Sequence, residues 1–306
     1  MFTKIIRQLA HDLRPVTKQA RLLYWGAAFW LTIGAIHLIP LARDGWTWSG
    51  PLSFRKPIVF SVSMGLLLAT TGWVLDRLPE RPRLAGALAW TFLISSTIEV
   101  ALITTQAWRG RASHFNVFEN GDAMIFGAMG VAVGFMSLCL FSLFIWSLVE
   151  RPADRLVRIA VIAGLALVMT GLGIGQMMIE LGHEFVASHQ AVPDVVTYGG
   201  AGEPKFPHAV AFHGIQVFIV AAALLGRSAM SESARRRSML TIVGSYTAAL
   251  VVASVQTILG QAPTEPTIWT AGLVVAIALV VATYVRIYRS VETANAPDRQ
   301  PMAGVR

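Results

Sequence analysis

The sequence predicts an all-α, polytopic membrane bundle of about eight transmembrane helices, with both termini on the cytoplasmic side. Three observations carry this. The apolar residues, 55% of the chain, are gathered into runs of twenty or more, each able to cross a hydrocarbon core about 30 Å thick. Lys and Arg fall in alternate segments between these runs. The runs lack the every-second-residue alternation that a lipid-embedded, closed β-barrel requires.

A basic, mostly polar segment covers 1–21, and no cleaved signal peptide is expected, because the apolar run that follows it is too long for an h-region. Apolar helices are then expected at 22–42, 57–76, 85–107, 123–149, 157–182, 207–226, 239–259 and 267–287. With the N-terminus inside, 19 of the 25 Lys and Arg residues fall on the cytoplasmic side and six on the outer side. Adding or removing one helix scrambles that asymmetry. Trp46, Trp48 and Trp108 fall at the outer boundary, where indoles favour the headgroup level. Gly130 and Gly134, like Gly171 and Gly175, have the spacing of close helix approach. The outer segment 183–206 carries Pro193, Gly199, Gly200, Gly202 and Pro204 and reads as a loop or lid. The membrane domain is thus expected over 22–289, followed by a polar, disordered tail at 290–306. A weak four-plus-four repeat is suggested by Gln106-Ala107 and Gln261-Ala262 near the ends of the third and seventh runs.

Composition excludes several classes. Only 14% of residues are charged and the mean hydropathy is +0.59, so lipid is the solvent for much of the chain. The net charge of +8 follows from topology, and no basic groove with interleaved aromatics points to nucleic acid. Cys139 stands alone, which rules out an intrachain disulfide and a multi-cysteine zinc site.

Ionisable groups inside a membrane are costly and mark function. Ser95, Glu99 and Gln106 share one face of the third helix. Gln176, Glu180, His183 and Glu184 form a stripe on the fifth, and His213 and Gln216 stand three apart on the sixth. Six of the seven histidines, His37, His114, His183, His189, His208 and His213, fall on the outer side. If the stripes converge they line an outward-facing cavity; the alternative is that they hydrogen-bond neighbouring helices. Glu99 lies about two turns below the outer boundary and needs either a buried partner or a chemical role. Glu180 and His183 have the i, i+3 spacing of carboxylate-bridged metal bundles, though a single copy of it. His37, Glu180, His183 and His213 are the candidate ligands for a transition metal, and a histidine could equally serve haem iron.

The most distinctive stretch is Gln106-Ala-Trp-Arg-Gly-Arg-Ala-Ser-His-Phe-Asn116. Gly110 permits a tight turn, and Arg109 and Arg111 place two cations on the outer side against the general trend. Glu99, Asp122, an anionic substrate or a lipid phosphate could recruit them. Ser113 beside His114, with a carboxylate such as Asp122, gives only thin support for a nucleophilic triad. This loop, with Phe54-Arg-Lys-Pro57, resembles an uncharacterised family of bacterial multi-pass inner-membrane proteins that carry a Gln-x-x-Arg-Gly-x-x-Ser-His-Phe-Asn motif. The resemblance covers about 50–135 and implies a bacterial inner membrane and a role for Arg109, Gly110, Ser113, His114 and Asn116; it supplies no activity.

The expectation is therefore a membrane-embedded enzyme or metal- or haem-dependent redox protein, with Glu99, Arg109 and His114 as catalytic candidates and Gln106, Gly110, Ser113 and Asn116 supporting them. A proton-coupled transporter of small solutes and an assembly subunit are the alternatives. The expected partners are the lipid bilayer and a small-molecule ligand.

Overall fold

The computed structural model describes residues 2–193 and 201–295. Among them the chain is all-helical, and eight helices are long and apolar enough to cross a membrane. It is a multi-pass helical membrane protein. Helix α1 is Phe2–Asp12, and α2 (Lys18–Ile36) with the short α3 (Leu38–Arg43) makes the first span. The others are α4 (Arg55–Leu75), α5 (Pro82–Trp108), α6 (Asn120–Val149), α7 (Arg155–His189), α8 (Lys205–Gly226), α9 (Glu232–Ile258) and α10 (Ile268–Asn295).

Local chemistry sets these limits. Thr17, Asp154 and Ser231 cap α2, α7 and α9 by accepting the backbone N–H groups of Ala20, Val157 and Ala234. Pro82 starts α5, where its missing N–H costs nothing. Pro40 cannot donate to the carbonyl four residues earlier, and the first span breaks at His37.

Two expected boundaries shift, and the first segment gains a helix. The basic 1–21 segment holds the amphipathic α1, whose Ile5 is buried in the cluster that also holds Leu225, Ile287 and Val291. The 183–206 segment remains helical to His189, because a helix whose exposed face carries Glu180, His183 and Glu184 can continue into water past the bilayer; residues 194–200 lie outside the described residues. Helix α10 runs to Asn295, and 296–306 lie outside the described residues. Helices α1 and α10 meet at one end of the bundle, where Gln8 Nε2 donates to Asn295 Oδ1 at 3.1 Å.

The two halves are built alike. Helices α5 and α9 begin and end 150 positions apart, at Pro82 and Glu232, then Trp108 and Ile258. The same register pairs buried Phe92 with Ile242, Val100 with Leu250, Ile103 with Ala253 and Gln106 with Gln256. Gln106 Nε2 reaches Ala112 O at 3.4 Å, and Gln256 Nε2 reaches Ala262 O at 3.5 Å. Gly110 and Gly260 take φ of +64° and +68° at equivalent turns. Gln106 therefore corresponds to Gln256, and the pairing with Gln261 suggested by the dipeptides alone is out of register. Arg77 and Arg227, also 150 apart, converge on Asp12: Arg77 donates to its carbonyl at 2.8 Å and Arg227 to Oδ1 at 2.5 Å. The nearby guanidinium of Arg227 holds the Asp12 carboxyl below the usual carboxylate range.

Helix pairs α2·α4 and α7·α8 are the tightest and share a contact plan. A Cβ at Gly34 would lie 3.2 Å from Ser61 Cβ, and one at Gly171 would lie 3.3 Å from Ala211 Cβ. Deeper in, the small residue changes sides. Gly65 of α4 faces Ala27, whereas Ile215 of α8 faces Gly164, where a Cβ would lie 2.6 Å from Ile215 Cγ1. Gly164→Ala is thus expected to destabilise by roughly 1–3 kcal/mol through overpacking. Adding Ile215→Gly, which copies the first half, should recover part of that loss in thermal unfolding of the detergent-solubilised protein.

Candidate functional site

The loop after α5 is tied down by one carboxylate. Asp122, in the first turn of α6, is 1% exposed. Its Oδ1 accepts from Gln106 Nε2 at 3.0 Å and Arg109 at 2.9 Å, and its Oδ2 from Asn116 Nδ2 at 2.8 Å. Arg109 also donates to Gln106 Oε1 at 2.5 Å. Gln106, Arg109 and Asn116 of the loop motif therefore form a clasp. Gly110 turns the chain inside it, and the 2.9 Å bond from Arg111 N to Gln106 O closes the turn. Arg111 pairs outside the clasp with Glu119 at 2.7 Å.

The clasp sets Ser113 and His114 over the interior. Lys56 Nζ lies 3.3 Å from Ser113 Oγ, which lies 2.9 Å from His114 Nδ1. An ammonium only donates, so Ser113 accepts from Lys56 and gives its own proton to Nδ1. The neutral imidazole then carries its proton on Nε2. That nitrogen points at Glu99 Oε1, 3.9 Å away and beyond hydrogen-bond range. Glu99 is 1% exposed, and its Oε2 has no hydrogen-bond partner. A polar group of a bound molecule could sit between Nε2–H and the carboxyl.

Burial, with smaller contributions from Lys56 and Lys205, pushes the His114 imidazole down to about 3, so it stays neutral at physiological pH. An unfolded histidine takes up a proton near 6.5, and the folded one does not until far lower. Between those values the unfolded chain binds more protons, so stability is expected to fall as pH drops from about 6.5 toward 3. His114→Phe should flatten that part of a melting-temperature-against-pH curve. A parallel fall in both proteins would show that His114 is not its source.

Glu99, His114 and Lys56 line a cavity of about 470 Å³, within the range of small-molecule sites. Helices α4 to α8 and the 109–119 loop wall it, and Pro51, Val192 and Pro193 border it. Its polar lining adds Ser137, Gln176, Glu203, Lys205 and His208, while Phe60, Met64, Leu67, Met136, Leu140, Leu172 and Phe212 are apolar. Lys205 is paired to Glu203 at 2.9 Å, and His208 Nδ1 donates to Gly171 O at 2.9 Å. Lys56 pairs with no carboxylate among the described residues.

The expected residues are thus sorted. Glu99 and His114 meet in the cavity. Arg109 does not join them, because the fully buried Asp122 claims it first. Lys56 supplies instead a cation that no carboxylate among the described residues pairs, and in the sequence it was marked by its place in the Phe54-Arg-Lys-Pro57 motif.

The four candidate metal ligands are not brought together, and no cluster of three or more His, Cys, Asp and Glu able to hold an ion occurs among the described residues. His37 donates from Nδ1 to Ile33 O at 2.8 Å and accepts from Trp108 Nε1 at 3.1 Å, so both nitrogens are engaged in closing the broken end of the first span. Glu180 accepts from Gln176 at 3.2 Å on an exposed face of α7. His183 stands edge-on to Phe115 and Phe126, both 5.9 Å away. His213, half-buried on α8, is outside the cavity lining. No family model, curated protein or solved structure matches this chain.

Proposed function

We propose that the protein is a membrane-embedded enzyme of the bacterial inner membrane whose cavity opens toward the outer side, with both termini cytoplasmic, and that it catalyses proton transfer on a small molecule. The observation that carries this reading is the facing pair of Glu99 and His114, 3.9 Å apart across a gap at the wall of a mostly apolar cavity. Glu99 is the base that takes a proton from the substrate. His114, neutral, donates from Nε2–H to the substrate oxygen on which negative charge builds. A carboxylate base working against a neutral imidazole donor is an established division of labour for proton abstraction beside a carbonyl. Low-dielectric walls strengthen both interactions.

A dead-end cavity favours an enzyme over a transporter. The lining reaches Leu67 and Leu140, and beyond it Leu68, Val74, Leu75, Leu143 and Trp146 are buried in the core. The test compares membrane extracts from bacteria lacking the gene and carrying the wild type, Glu99→Gln or His114→Phe. A compound that accumulates without the gene should be cleared by the wild type and persist with either variant at equal protein level. Clearance by both variants would end the acid–base reading.

A further inference from the structure

We infer that the cavity binds a single-chain anionic amphiphile, a carboxylate or phosphate monoester on one hydrocarbon chain, with its head at Lys56 and its tail along the apolar wall. The inference rests on the enzyme reading for its chemistry but not for its binding.

The cavity has two chemically different ends. At one end Lys56 spends one donor on Ser113, and the remaining ammonium protons have no carboxylate among the described residues. Lys205 adds a second ammonium, already paired with Glu203. A cation in such a setting is satisfied by an anion that brings its own charge. Glu99 does not compete for this position: Lys56 reaches His114 through Ser113 on the Nδ1 side, and Glu99 lies on the Nε2 side, so the imidazole stands between them.

From Lys56 the wall runs inward along α4 to Leu67, eleven residues or about 16 Å of helix. Met64, Met136, Leu140 and Leu172 complete this mostly apolar stretch, which the hydroxyl of Ser137 interrupts. Methionines adapt to a flexible chain. A volume of about 470 Å³ spread over that depth leaves a narrow slot, suited to one chain and too small for a two-chain lipid. With the head at Lys56, the gap between His114 and Glu99 falls beside the first carbons of the chain. The proton transfer is therefore placed next to the head and away from the tail.

The test measures equilibrium binding of radiolabelled hexadecanoate to the full chain in nanodiscs of zwitterionic lipid, with empty discs subtracted. One saturable site per chain is expected. Hexadecyl phosphate should displace the label, and whichever head binds tighter identifies the anion. Hexadecanol and hexadecyltrimethylammonium should compete at least about tenfold more weakly, a difference of about 1.4 kcal/mol. Lys56→Gln should weaken hexadecanoate by about tenfold and leave hexadecanol unchanged. Met136→Trp should exclude hexadecanoate while octanoate still binds. Equal competition by hexadecanol, tighter binding of the cation, or no saturable site would each overturn the proposal using the wild-type protein alone. Failure of binding with Glu99-dependent clearance retained would refute the ligand class only. Intact binding with Glu99→Gln fully active would refute the reaction and leave the ligand standing.

Discussion

Glu99→Gln is expected to lower turnover by at least about a hundredfold while leaving the fold and ligand affinity nearly unchanged, the usual scale for losing a general base. Glutamine keeps the size and one acceptor oxygen but cannot take a proton. The side chain is fully buried with one oxygen unpartnered, so a neutral amide is tolerated at least as well as a carboxyl. The contrast with Glu99→Asp is informative. Shortening the chain widens the 3.9 Å gap to His114, and activity should fall although the carboxyl remains. His114→Phe should lose activity through the missing Nε2–H donor. Because His114 and Glu99 act on the same transition state, the double variant should be little worse than the poorer single one.

Asp122→Ala is expected to give the largest loss of stability. It leaves Gln106 and Asn116 with buried donors unsatisfied and Arg109 without its counter-charge, at a cost of roughly 2–3 kcal/mol. Arg109 is 43% exposed and water recovers part of its loss, which keeps the figure below that of a fully buried ion pair. Activity should fall with stability, since the clasp positions Ser113 and His114. Asp122→Asn retains acceptor capacity at one oxygen and should fall between. A clasp role makes Arg109→Lys mildly destabilising, with activity retained in whatever protein folds. A catalytic or anion-binding role for Arg109 would instead abolish activity in a stable protein. Melting temperature and turnover measured together on Asp122→Asn and Arg109→Lys separate these cases.

The spans were legible because hydropathy and charge speak directly to a bilayer. Each expected run falls within one of the eight apolar helices apart from one residue at the edge of three of them: Asp76, Leu259 and Thr267. What was not legible was where helices stop. Helix α7 continues through Glu180, His183 and Glu184 because a helix past the membrane needs only solvent for its polar face. Helix α1 was not legible because its apolar side is short, and its Ile5 joins a buried cluster built from residues far away in sequence. The repeat was only faintly legible, because the Gln-Ala dipeptides are out of register; the equivalence rests on Gln106 and Gln256 each bonding across a turn at Gly110 or Gly260.

The site was half legible. Glu99 and His114 stood out as costly groups at a membrane's outer edge, and the structure brings them face to face. Arg109 was equally conspicuous, but sequence could not say which of several carboxylates it meets; that depends on Asp122 facing back toward Gln106 from the start of α6. Lys56 stood in the Phe54-Arg-Lys-Pro57 motif, but only the three-dimensional path of α4 sets it against Ser113. The histidine metal set failed for a related reason: residues that share a depth in the bilayer need not share a side of the bundle, and His37 is fully engaged with Ile33 and Trp108.

The most direct test of the central claim is a single in vitro comparison. Extract from gene-deleted membranes is incubated with purified wild type or Glu99→Gln, and the accumulated compound is followed by mass spectrometry for both bound and consumed material. The account predicts that the wild type consumes it, whereas Glu99→Gln binds it with similar affinity and consumes it at least about a hundredfold more slowly. Equal consumption by Glu99→Gln would contradict a proton-transfer site at Glu99 and His114.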